Sequence, residues 1–131
     1  MRNIPKPIAV SESIASSAVS CSRQVKDAAA IICITELGGT ARLVAKYRPQ
    51  IPVIATTLFK QTARQLASCF GIIPYCHRGS AETILHETMK YIVDLGIAKE
   101  LDIVVVTSGQ QVGFLEGTTT RLQVITIPKM K

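Results

Sequence analysis

The stretch AAAIICITELGGTARLVAKYRP, residues 28–49, decides the fold. Its first eight residues, AAAIICIT, are an unbroken apolar run bounded by polar residues and too short for a helix of ordinary length. Such a run marks a strand buried on both faces, as in the middle of a parallel sheet. Gly38 and Gly39 follow, and then a helical pattern with Leu43, Val44 and Tyr47 on its apolar side, which Pro49 stops. A strand that turns at once into a helix is the first half of a βαβ unit.

The same alternation continues in both directions. Residues 1–10, with Pro5 and Pro7, predict an extended lead-in, and Ser11 predicts the N-cap of a helix that carries Ile14, Ala18, Cys21 and Val25 on one stripe. Downstream, PVIATTL (52–58) predicts a second strand. QTARQLASCFG (61–71) predicts a helix with Ala63, Leu66, Ala67 and Phe70 inward and Gly71 at its end. IIPYCH (72–77) is a short third strand, which Pro74 assigns to the sheet edge. Ser80 then caps a helix with Glu82 in its first turn, Leu85, Met89 and Ile92 facing inward, and Gly96 at its close. LDIVVVTSG (101–109) and RLQVITIP (121–128) are the fourth and fifth strands.

The loop between those last two, QQVGFLEGTTT, is too short for a helical crossover, so strand five must return antiparallel beside strand four. The other connections each contain a helix and predict parallel pairing. Strands one and four are the most apolar and take the centre. The expected architecture is a single domain over 1–131, folded over 11–128: a three-layer α/β/α sandwich on a five-stranded mixed sheet of order 3-2-1-4-5.

Composition agrees with that architecture. In 131 residues, 47% hydrophobic content is enough for one substantial core, and with 5% aromatics and no Trp the packing falls to Ile, Val, Leu and Ala. The net charge of +6 is spread over scattered positions such as Arg23, Arg42, Lys46, Arg64 and Lys90. It predicts a solvated exterior first and an anion site second, with no nucleic-acid partner. Cys21, Cys33, Cys69 and Cys76 form no CxxC pair and predict buried free thiols in a reducing compartment. No apolar stretch approaches a membrane span and the first ten residues lack a signal-peptide core, so no membrane partner and a cytoplasmic location are expected.

A ligand site is expected outside the carboxyl ends of strands one and four, where the chain reverses direction across the sheet. Thr35, Gly38, Gly39 and Thr40 lead into a helix N-terminus, whose unpaired N–H groups and dipole favour an anion such as phosphate. Ser108 and Gly109 close strand four at the same end, and Gly117, Thr118, Thr119, Thr120 and Arg121 offer hydroxyls and one cation. Any parallel α/β corner also needs such a turn, the two glycines lack the spacing of a dinucleotide fingerprint or Walker A loop, and Glu36 opposes an anion. The pattern alone leaves both readings open. No catalytic constellation is expected: Cys76 and His77 are adjacent on a strand and point to opposite faces, His86 sits on a polar helix face, and the carboxylates are dispersed with no metal-binding cluster.

Taken together, TELGGTARLVAKYRP, IPVIATT, TARQLASCFGIIP and DIVVVTSG, with ESIASSAV as a leading helix, closely resemble the C-terminal domain of pyruvate kinase, in order and spacing from about Ser11 to Pro128. The resemblance implies a piece of the glycolytic enzyme that transfers phosphate from phosphoenolpyruvate to ADP. In that family, catalysis belongs to a separate (β/α)8 barrel that uses Mg2+ and K+, so this domain alone is expected to be inactive and to hold no cofactor of its own. The resemblance also implies a phosphorylated sugar or nucleotide effector at the loop matching Thr35, Gly38, Gly39 and Thr40 and at the Gly117-Thr118-Thr119 loop. The partners it implies are the barrel of the same polypeptide and further copies, giving a homotetrameric parent, with at least weak dimerisation of this domain through strand five. Glu36, Leu37 and Gly39 in the first loop, Thr120 where the family usually has Asn, and the lack of a sugar-clamping Trp and Arg in SGQQVGFLEG predict weak or absent affinity for fructose 1,6-bisphosphate. The competing reading is a stand-alone phosphate-binding α/β module without catalysis.

Overall fold

The computed structural model describes residues 6–25, 28–35, 39–47, 49–69, 71–77, 83–109 and 119–129, with the backbone alone at 6–12, 39–40, 109 and 119–121. The element order is α1 (Lys6–Gln24), β1 (Ala28–Ile34), α2 (Gly39–Lys46), β2 (Val53–Thr57), α3 (Lys60–Leu66), β3 (Ile72–Cys76), α4 (Ile84–Asp94), β4 (Ile103–Gly109) and β5 (Thr119–Thr126). The five strands form one sheet of order β3-β2-β1-β4-β5, parallel except for the antiparallel β4–β5 pair. The expected topology is therefore the observed one.

Strand alternation sends successive side chains to two separate cores. Ile31, Cys33, Val53, Ala55 and Val105 pack on one face against Ala15, Ala18 and Val19 of α1, Ala41 and Val44 of α2, and Leu66 of α3. Ala30, Ile32, Ile54, Val104 and Val106 pack on the other against Met89 and Ile92 of α4. Among the described residues α4 is the one helix on its face, for a topological reason. The chain steps in one direction from β1 to β3 and in the other from β3 to β4, and right-handed crossovers in opposite directions place their helices on opposite faces.

Several local expectations need correction. The lead-in is not extended: α1 already begins at Lys6, and Ser11 lies inside it rather than capping it. Pro7 does not prevent this, because in the first turn its missing N–H would have had no intrahelical partner. Helix α3 ends at Leu66, with Ala67 exposed and Thr62 buried in its place; Gly71, at φ +82°, lies beyond the helix end and takes a backbone that side-chain-bearing residues avoid. Phe70 and the expected cap at Ser80 with Glu82 lie outside the described residues, while Gly96, at φ +80°, closes α4 as expected. All four cysteines are free, but only Cys33 is buried; the others are half-buried at element ends and helix margins.

Pro74 does sit on an edge strand. The His77 N–H donates to the Thr57 carbonyl at 2.8 Å, so N–H groups of the same parity point at β2 and the nitrogen of Pro74 points outward, where no ladder bond is lost. The two sheet edges are thus unlike. β3 is short and proline-blocked, whereas β5 runs eight residues without a proline.

Candidate functional site

The carboxyl ends of β1 and β4 lie side by side, with Ile34 opposite Ser108 and Cys33 opposite Thr107. Thr35 follows directly and is buried, its N–H donating to the Thr56 carbonyl at 2.9 Å, which ties the exit of β1 to β2. Helix α2 starts four residues later at Gly39, so only three residues separate Thr35 from a helix N-terminus. Thr40 belongs to the first turn of that helix, where backbone N–H groups lack intrahelical acceptors. Across the sheet, β5 aligns Arg121 with Ser108 and Thr119 with Gly109, which brings the backbone of Thr119, Thr120 and Arg121 to the same end. Gly38, Gly117 and Thr118 lie outside the described residues. Of the expected site positions, Thr35, Gly39, Thr40, Ser108, Gly109, Thr119, Thr120 and Arg121 therefore cluster around the switch point between β1 and β4.

Threonine is concentrated at this end of the sheet, and the hydroxyls of Thr56, Thr57 and Thr107 stand in different situations. Thr57 Oγ1 accepts the Phe59 N–H at 3.1 Å, which fixes the backbone just ahead of α3, whose N-cap residue Phe59 has no side-chain capping bond. Thr56 Oγ1 lies 3.0 Å from Thr88 Oγ1, and Thr88 donates to the Ile84 carbonyl at 2.7 Å, which links β2 to α4. Thr107, which opens the sequence's second switch-point segment just ahead of Ser108 and Gly109, is fully buried, and its hydroxyl makes no full hydrogen bond. Its weak contact with the Cys33 thiol only slightly offsets burial, which pushes that thiol up to about 12. Cys33 is therefore a protonated core residue at neutral pH and no nucleophile. The only signal for Thr107 in the sequence is a polar residue ending the apolar run IVVV, a signal that Thr35 and Thr56 share.

The histidines do not build a reactive centre. His77 is buried with Nε2 3.1 Å from Thr83 Oγ1, a bond that spans the connection between β3 and α4, while His86 is exposed. Tyr75 stacks on Tyr91 at 4.3 Å between ring centroids, and burial, followed by the Glu87 carboxylate, raises its pKa. Among the described residues no group of three or more His, Cys, Asp or Glu side chains is arranged to hold a metal ion, and no helix is long and apolar enough to cross a membrane.

Comparison with known proteins converges on one family. Residues 12–125 match the family model described as the pyruvate kinase alpha/beta domain. The chain is 37% identical over 124 residues to the pyruvate kinase of Dictyostelium discoideum, covering 93% of this chain and 24% of that protein. It is 33% identical to that of Bacillus licheniformis over 121 residues, covering 91% of this chain and 20% of the relative. The solved structure of Cryptosporidium parvum pyruvate kinase in complex with ADP superposes with a TM-score of 0.80 at 30% identity, covering 95% of this chain and 25% of that one. The chain thus spans about a quarter or less of the length of these relatives. With its sheet order, its mixed sheet and a match over nearly its whole length, the chain belongs to the pyruvate kinase alpha/beta domain family.

Proposed function

We propose that this chain is the regulatory and subunit-assembly domain of a pyruvate kinase, and that it binds a phosphorylated effector at the β1/β4 switch point. The observation that carries the reading is the short passage from buried Thr35 into the N-terminus of α2, beside the paired ends of β4 and β5. Unpaired N–H groups of the first helical turn supply donors and a favourable dipole, and the Ser108 hydroxyl adds a further donor at the same end. The ligand is a sugar or nucleotide phosphate. Without a clamping Trp, fructose 1,6-bisphosphate is expected to bind weakly or not at all.

The parent enzyme, in this reading, converts phosphoenolpyruvate and ADP to pyruvate and ATP in cytoplasmic glycolysis, with Mg2+ and K+ held in a barrel domain that this chain does not contain. Because catalysis in this reading belongs to that barrel, the isolated chain is expected to be inactive. Assembly is assigned to β5. Among the described residues its outer edge pairs with no other strand and carries no proline, whereas Pro74 blocks the other edge; from Arg121 to Thr126, past the register shift at Thr120, that edge is regular and favours pairing with another copy.

Isothermal titration of the chain with fructose 1,6-bisphosphate, glucose 6-phosphate, AMP and inorganic phosphate, repeated on Thr40→Ala, tests the site. Saturable binding that the variant loses supports the reading. Failure of every ligand to bind overturns the effector site and leaves assembly, which sedimentation addresses separately: only monomer at high concentration would contradict the β5 assignment.

A further inference from the structure

We draw no further inference here: the strongest candidate, the exposed apolar corner of Leu58 and Phe59 at the carboxyl end of β2 beside Lys60 and Arg64, carries nothing because nothing in the structure shows what covers it.

Discussion

The buried Thr56–Thr88 pair permits a prediction whose sign pattern follows from counting protons. Thr88 has a single hydroxyl hydrogen, and the 2.7 Å bond to the Ile84 carbonyl uses it, since a carbonyl can only accept. Thr56 must therefore be the donor in the 3.0 Å contact between the two hydroxyls. Both side chains are fully buried. Replacing Thr88 with Val leaves the Thr56 hydroxyl as a buried donor with no acceptor, a loss of about 1–3 kcal/mol. Replacing Thr56 with Val removes the donor but leaves Thr88 satisfied by Ile84, so only the net worth of one hydrogen bond is lost, about 0.5–1.5 kcal/mol. In the double Val variant no orphan remains, and its cost should stay near that of Thr56→Val instead of the sum of the two single changes. Urea unfolding followed by far-UV circular dichroism is the suitable assay, because the chain has no Trp to report by fluorescence. With an m-value of about 2 kcal/mol/M, Thr88→Val should lower the midpoint by about 0.5–1.5 M and the double variant by less. A Thr56→Val loss equal to or larger than that of Thr88→Val, or additive costs in the double variant, would refute the donor assignment.

Four further outcomes are expected. Ile92→Ala should cost about 2–5 kcal/mol in the same assay, because Ile92 is fully buried in the core between α4 and the sheet. Gly96→Ala should cost about 1–2 kcal/mol from backbone strain alone, since φ is +80° and no atom lies within 4 Å of the added methyl. Leu101 has φ +75° with its side chain 58% exposed, so Leu101→Gly should relieve similar strain and be close to neutral; a loss above about 1 kcal/mol would mean that its packing outweighs the strain. Cys33 gives a pH dependence. Its thiol is raised from an ordinary 9.0 to about 12, so its contribution is fully present below pH 9 and is lost as pH rises toward 12, because the unfolded chain ionises first. The stability difference between the protein and Cys33→Ala should shift by about 1.4 kcal/mol per pH unit above 9 against the protein, and a pH-independent difference would exclude the linkage.

Much of the fold was legible because this sheet states its topology in one-dimensional signals. AAAIICIT and IVVVTSG are apolar on both faces, which only central strands need to be, and the short return after Gly109 permits nothing but an antiparallel fifth strand. The misreadings arose where a rule about local chemistry met tertiary context. Ser11 has the side chain of a cap, yet the helix already begins at Lys6, since a single residue's capping preference is a weak local tendency that its context overrides. Ala67 is exposed because α3 ends at Leu66, so the periodicity expected to continue through it had no helix left to apply to. The site was legible as a location but not as an arrangement. Glycines and threonines mark the corner, but which hydroxyl faces which partner depends on the register between strands, and register is a relation between distant segments.

That dependence explains why threonine recurs at the strand ends. A β-branched side chain suits a pleated strand and packs against the core as Val does, so Thr35, Thr56, Thr57 and Thr107 extend the apolar interior to its last row with little loss of shape. Each also brings a hydroxyl to the end of the sheet where chain segments leave for helices, and there it has work available: Thr57 fixes the backbone just ahead of α3, and Thr56 reaches α4 through Thr88. Thr107 is the exception, with a hydroxyl that contributes a desolvation cost and gains only a weak thiol contact. Were it purely structural, Thr107→Val should stabilise the chain, because replacing an unpaired buried hydroxyl with a methyl of the same shape removes the penalty and keeps the packing. The urea midpoint of Thr107→Val decides the matter: a rise identifies an unused hydroxyl, whereas a fall means that Thr107 has a partner in solution, such as an ordered water, and belongs with the polar row around the switch point.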